Sequence, residues 1–411
     1  MKKKFWSYEN GLMALLSLNF GVVFFDRNAM SYLGPSVQAD LHLSNAQIGL
    51  IASGFSLAWG VSGFLGGLVV DKVGRRKLFL VLLTIVFSLC SIGSGLAQSF
   101  GALIAIRMLM GFAEGPMNPI HQSFVAAEST PQRLGLNMGF VQNFGSQFLG
   151  SFIAPLAIGA MAAEHGWRNA FFVSALPGLA MAGALFVFLR EPKVEAPVGE
   201  APARMSIGEM VRHRNVWLCM VISLFLIPWM VLGWTFLPLL YAKFRNFDPA
   251  TGSLLMAVLG ASAMVGAIVL PGLSDRIGRK PVMIFGSILG ALVPLSALYF
   301  GGSVFVLAAL LFVGWLASGV FPLFMSAIPS ETISARYVAT TCGLIQGLGE
   351  AVGGFAAPAI AGKASDLYGL PASMWIMAGC AVIGGVLSLG LKETAPVKAS
   401  GIIDNTVGAT I

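Results

Sequence analysis

Twelve long apolar stretches decide what this chain can fold into. They run approximately over residues 11–32, 46–70, 78–98, 101–125, 136–161, 168–189, 216–241, 250–272, 281–299, 304–328, 338–361 and 372–391. Most reach the ~20 residues that carry an α-helix across a bilayer. The loops between them are mostly too short to fold as separate domains. The chain is 56% hydrophobic and only 10% charged, where soluble domains carry about 25% charged residues. The expectation is one all-α integral membrane protein with twelve transmembrane helices.

The net charge of +7 raises the question of nucleic acid, and the placement of the charges answers it. With the N-terminus inside, most of the 25 Lys and Arg residues fall at the termini or in cytoplasmic loops. Arg168, Lys243, Arg245 and Lys363 fall outside, and Arg27 and Arg107 lie within the membrane. That asymmetry follows the positive-inside rule, so both termini are expected in the cytoplasm and no nucleic-acid partner is implied. Lys2, Lys3 and Lys4 precede an apolar run, as in a signal peptide. Glu9 and the Asp26–Arg27 pair interrupt that pattern and no small-residue cleavage site follows, so an uncleaved first helix is expected. Cys90, Cys219, Cys342 and Cys380 lie in apolar segments at no metal-ligand spacing, and a disulfide framework is not expected.

The chain repeats itself. One loop reads Asp71-Lys72-Val73-Gly74-Arg75-Arg76, and another reads Asp275-Arg276-Ile277-Gly278-Arg279-Lys280, 204 residues later. Pro119, Glu128, Arg133, Gly150, Pro155 and Gly166 recur as Pro322, Glu331, Arg336, Gly353, Pro358 and Gly369, each at an offset of 203. A six-helix unit has been duplicated in parallel orientation. The expected domains are an N-terminal bundle over 1–190, a cytoplasmic linker over 191–214, a C-terminal bundle over 215–394 and a cytoplasmic tail over 395–411.

Polar side chains inside the apolar stretches are the candidate site. Asp26 and Arg27 sit side by side halfway along the first segment. Each costs roughly 2.5–3.5 kcal/mol at a bilayer centre on insertion scales. Neighbours on a helix point about 100° apart, so each needs another partner or a water-filled cavity. The choice is between a structural ion pair and a substrate or proton site. The fourth segment carries Arg107, Glu114 and His121 at spacings of seven, which places them near one helix face, about 10 Å apart per step. The fifth segment presents Asn143 and Gln147, and the eleventh presents Gln346 and Glu350 at the matching positions. Such amides and acids either join helices or line a cavity. Trp229 and Trp315 are deep enough to face a cavity, while Tyr241 is expected in the interfacial belt. No enzyme constellation, phosphate loop or cofactor motif is present in the sequence. Neither catalysis nor ATP-driven pumping is expected.

The paired Asp-Lys/Arg-x-Gly-Arg-Lys/Arg loops, in both halves of a 6+6 arrangement, resemble those of the major facilitator superfamily. That resemblance covers about residues 8–394 and implies a transporter that rocks two bundles about a central site. Asp71, Arg75, Arg76, Asp275, Arg279 and Lys280 are then candidates for a conformational latch, with anchoring of topology by positive charge as the alternative. Within the superfamily, Phe24-Phe25-Asp26-Arg27-Asn28-Ala29-Met30 and Arg107…Gly111-Phe-Ala-Glu114-Gly-Pro…Asn118-Pro119 resemble the anion:cation symporter family. Members of that family carry organic anions with protons. The resemblance implies that Arg27 binds a carboxylate, that Asp26 and Glu114 carry protons, and that Gln147 touches substrate. Phe24 departs from the tyrosine found in many sugar-acid members, which tilts the expectation toward a less polar or aromatic carboxylate. Glu350 is an additional acid.

The expected function is proton-coupled import of a small organic anion by alternating access at the inner (plasma) membrane. Arg27, Arg107, Gln147, Asn143, Gln346 and Trp315 would bind substrate, and Asp26, Glu114 and Glu350 would couple protons. No obligate protein partner is evident; membrane lipid surrounds the chain. The alternatives are a proton-driven efflux antiporter for an apolar or cationic compound, supported by a partial Gly150…Pro155 motif and Glu350, and a non-transporting membrane sensor.

Overall fold

The computed structural model describes residues 8–73, 75–129, 133–191, 207–333 and 338–395. Side chains at 64–73, 126, 134–136, 143, 207 and 338–340 lie outside that description. Among the described residues every secondary-structure element is helical. Ten stretches are long and apolar enough to cross a membrane. The fifth and sixth expected segments share one of these, Asn137–Phe188. The second expected segment is the helix Asn45–Val73, which is not among the ten.

The duplication seen in the sequence returns as matched backbone. Gly166, at φ 80° and ψ 161°, breaks the helix Ala154–Phe188, and Gly369, at φ 84° and ψ 162°, ends the helix Ala357–Tyr368. A side chain is disfavoured at such angles, so glycine occupies both turns. Ser99 accepts the Ala102 N–H at 3.2 Å, and Ser303 accepts the Val306 N–H at 3.4 Å. These caps start the helices Phe100–Glu114 and Val304–Trp315 and satisfy donors that the first turn leaves open.

Proline explains the irregular turns. The π-helical stretches Ser146–Ile153 and Glu350–Ala356 lie just before Pro155 and Pro358. A proline ring clashes with the carbonyl four residues earlier, and widening the turn relieves the clash. The fourth segment is not continuous. Helix Phe100–Glu114 stops at Gly115–Pro116, and Met117–Glu128 follows.

Contacts gather the chain into two units, Met1–Glu200 with Pro238–Ala261, and Ala201–Leu237 with Ser262–Ile411. In the first unit, helix Tyr8–Asp40 lies very close to the π-helical stretch. A Cβ on Gly145 would run into the Ser17 carbonyl, and one on Gly21 would come within 2.7 Å of the Gly145 oxygen. Glycine at both positions lets the two backbones touch. In the second unit, Trp229 and Trp315 are buried and pack at 4.7 Å between ring centroids. The Trp229 indole N–H donates to the Gly290 carbonyl at 2.9 Å.

Candidate functional site

Asp26 lies on the helix Tyr8–Asp40 and is wholly buried. Its Oδ1 accepts hydrogen bonds from the hydroxyls of Ser91 and Ser174, the latter at 2.9 Å. Ser91 comes from the helix Arg76–Leu96 and Ser174 from Ala154–Phe188, so this carboxylate ties three helices together. Its Oδ2 has no hydrogen-bond partner. Neither serine stands out in the sequence, because serine in an apolar helix is ordinary.

Arg107, only 2% exposed, turns toward the same helix. Its Nη2 donates to the Arg27 carbonyl at 2.8 Å and its Nη1 to the Met110 sulfur at 3.1 Å. The guanidinium thus holds backbone, and no arginine forms an ion pair with Asp26 or Glu114 among the described residues.

Arg27 has a different environment. Its guanidinium lies over the rings of Phe24, Phe55 and Trp59, at 5.3, 4.8 and 5.2 Å from their centroids. Among the described residues it has no hydrogen-bond partner, and it is half-buried. The partner that the sequence demanded is therefore the negative face of three aromatic rings. Each such contact contributes about 0.5 kcal/mol when exposed and about 2 kcal/mol when desolvated. Two of the rings belong to helix Asn45–Val73, which carries no charge singled out at this depth.

Glu114 ends its helix at the Gly115–Pro116 break and is 1% exposed. Neither carboxylate oxygen has a hydrogen-bond partner. The charged groups that act on it are Arg27, Asp26 and Arg107. A buried carboxyl with no partner is costly, and here it joins no helix to another. His121 behaves differently. Its Nε2 meets Asn19 Oδ1 at 2.8 Å, its Nδ1 meets the Met117 carbonyl at 2.6 Å, and Asn19 Nδ2 donates to Thr84 Oγ1 at 3.3 Å. These contacts link the fourth segment to the first and third helices. Despite the break, Arg107 and His121 both bond to the first helix.

The remaining expected residues are less concentrated. Gln147 is half-buried, with an Oε1 that has no partner. The Asn143 side chain lies outside the described residues. In the second unit Gln346 and Glu350 are half-buried. Trp315, expected to line a cavity, is 0% exposed, enclosed by Trp229, Trp234 and Gly233. It is a packing residue because three partners cover its ring. Tyr241, expected at the interface, is instead 1% exposed. An apolar cavity of about 400 Å³ lies behind the cluster, lined by Phe25, Ile158, Met161, Val173 and Leu176. Ser174 joins it to Asp26.

A family model described as the Major Facilitator Superfamily matches residues 16–358 and 233–408. The chain belongs to the major facilitator superfamily. This superfamily member is 36% identical to the hexuronate transporter of Bacillus subtilis over 184 residues, 44% of this chain and 43% of that protein. It is 26% identical over 363 residues to a Cupriavidus pinatubonensis protein named "Probable 4-methylmuconolactone transporter", covering 86% of this chain and 81% of that one. The crystal structure of a D-xylose-proton symporter superposes with a TM-score of 0.75 at 17% identity, over 94% of this chain and 99% of that chain. That likeness is one of fold.

The superfamily's repeated loop is visible in the second half. Arg279 binds Asp275 at 2.6 Å, Glu331 at 2.8 Å and Ser274 at 2.5 Å. Glu393 accepts the backbone N–H of Arg279 at 2.7 Å and of Lys280 at 3.3 Å. In the first half Glu191 accepts the N–H of Arg76 at 2.6 Å and of Lys77 at 3.0 Å. Each half therefore ends on a glutamate that caps its own third helix. Arg75 is exposed, and the Asp71 side chain lies outside the described residues. Glu191, Glu331 and Glu393 were not singled out for this role, because their partners are more than 50 residues away.

Burial alone would raise the Glu393 carboxyl. The N–H groups of Ala395, Arg279, Lys280 and Thr394 outweigh it and hold the group below the ordinary glutamate range. A depressed folded value gives stability that is present above the ordinary value of 4.5 and lost as pH falls through the folded value. Glu393→Gln should therefore melt earlier than wild type at neutral pH, with the gap closing in acid. Melting curves of both proteins across that range check this; a gap that widens in acid contradicts it.

Proposed function

We propose that this protein is a secondary transporter that carries a small organic anion across the bacterial inner membrane together with protons, by alternating access of two six-helix bundles. The bundles are bounded near 1–190 and 215–394, joined by a linker over 191–214, with both termini and the tail 395–411 cytoplasmic. The observation that carries the reading is the pair of uncommitted groups inside the first unit. Among the described residues, Arg27 offers a guanidinium with no hydrogen-bond acceptor, and Glu114 offers a carboxyl with no donor. A guanidinium fork fits a carboxylate with two parallel hydrogen bonds. A carboxyl whose charged form is poorly solvated takes up a proton more easily than an exposed one.

In this reading Arg27 anchors the anion. Arg107 positions the first helix through the Arg27 carbonyl and adds positive charge beside the site. Glu114 and Asp26 carry protons, and Glu350 is a further candidate. Gln147, Asn143 and Gln346 are candidate polar contacts to substrate. Asp275, Arg279 and Lys280, with Asp71, Arg75 and Arg76 in the other half, govern exchange between conformations. The names of the relatives, transporters of a hexuronate and of 4-methylmuconolactone, agree with an organic acid as cargo.

Reconstitution tests it. Proteoliposomes with an imposed inward proton gradient should accumulate glucuronate, or benzoate beyond the passive uptake of protein-free liposomes under the same gradient, and acidify their lumen faster than those liposomes do. Accumulation driven only by an outward proton gradient would instead assign efflux, and accumulation indifferent to the gradient would remove proton coupling.

A further inference from the structure

We infer that the Arg27 site selects a carboxylate with a planar, unsaturated body, an aromatic acid being the simplest case, and discriminates against polyhydroxylated sugar acids. The inference rests on the reading of Arg27 as the anion anchor and adds the chemistry of the rest of the ligand.

Most of the polar groups described around Arg27 are already engaged. The Ser91 and Ser174 hydroxyls are both engaged by Asp26. The Asn28 amide and the Tyr32 hydroxyl both donate to the Gly150 carbonyl, each at 3.0 Å. Arg107 is committed to the Arg27 carbonyl and Met110. Glu114 and Asp26 retain oxygens without partners, but these atoms are enclosed, the two residues being 1% and 0% exposed. Of the described groups named here, the Arg27 guanidinium is the one both reachable and uncommitted.

Beside it stand the half-buried rings of Phe24 and Trp59, with the buried Phe55 beneath. An anionic head meeting Arg27 brings its body against aromatic faces and edges, where a planar π-system packs well and an aliphatic polyol does not. Each hydroxyl of a sugar acid would give up water and find no partner on this wall. An unpartnered hydroxyl weakens binding by about tenfold or more. The requirement runs opposite to the one a hexuronate makes, so this chain is expected to differ from its Bacillus subtilis relative.

Titration calorimetry on the purified full-length protein, with benzoate and glucuronate as probes at one pH, decides it. Benzoate should bind about 100-fold or more tighter than glucuronate, counting two unpartnered hydroxyls at about tenfold each. Trp59→Leu, which removes one ring, should narrow that gap about tenfold, and Trp59→Phe, which keeps a ring, should restore most of it. Glucuronate binding as tightly as benzoate, with both lost in Arg27→Lys, overturns this inference and leaves the anion anchor standing. Binding of both acids that ignores Arg27→Lys overturns the anchor itself. No saturable benzoate binding to the wild-type protein also overturns the inference.

Discussion

Glu114→Gln is expected to abolish gradient-driven accumulation while leaving substrate binding and energy-independent exchange within a few-fold of wild type. Glutamine has the same shape and cannot take up or release a proton near neutral pH. Both oxygens of Glu114 lack hydrogen-bond partners, so the exchange breaks no contact, and removing a buried charge that has no partner relieves a desolvation cost. The thermal midpoint should therefore hold or rise slightly. Arg27, Asp26 and Arg107 all act on Glu114, so an anion arriving at Arg27 changes the charge beside it. On the proposed function, anion and proton should then assist each other's binding, and that effect should be reciprocal. If Glu114 were a structural residue, Glu114→Gln would melt earlier, and whatever protein survived would still concentrate substrate. Uptake into proteoliposomes with and without a pH gradient, a counterflow measurement and a melting curve of one preparation separate the two.

Arg27→Lys should lower anion affinity about 100-fold or more and lower transport with it. Lysine keeps the positive charge but replaces a planar fork by a point charge, losing one of two parallel hydrogen bonds to a carboxylate. It also stacks less well between aromatic rings. The change should cost little stability, because the Arg27 guanidinium has no hydrogen-bond partner among the described residues. What is lost is part of its attraction to Phe24, Phe55 and Trp59. Arg107→Lys should behave differently. Arg107 is 2% exposed and holds the Arg27 carbonyl, so its replacement should lower the melting midpoint as well as affinity. Calorimetric affinities and melting curves of both variants check the contrast. Native affinity in Arg27→Lys would mean that the anion binds elsewhere.

The comparison of sequence with structure divides along a physical line. Hydropathy and the 203-residue offset are properties of the chain read in one dimension. They were enough for the membrane class and the six-helix duplication. The cost of charge in hydrocarbon was enough to single out Asp26, Arg27, Arg107 and Glu114, since such residues do not persist there by accident. The sequence could not say who meets whom. Whether Asp26 would find an arginine or Ser91 and Ser174, and whether Arg27 would find an acid or Phe24, Phe55 and Trp59, depends on how each helix is rotated about its own axis. A helix apolar all round, such as Arg214–Leu239, carries little amphipathic signal to specify that rotation. Only the packing of helices distant in sequence selects it. That packing turned His121 into a helix tie through Asn19, enclosed Trp315 among its neighbours, and left Arg27 and Glu114 uncommitted beside each other's charge.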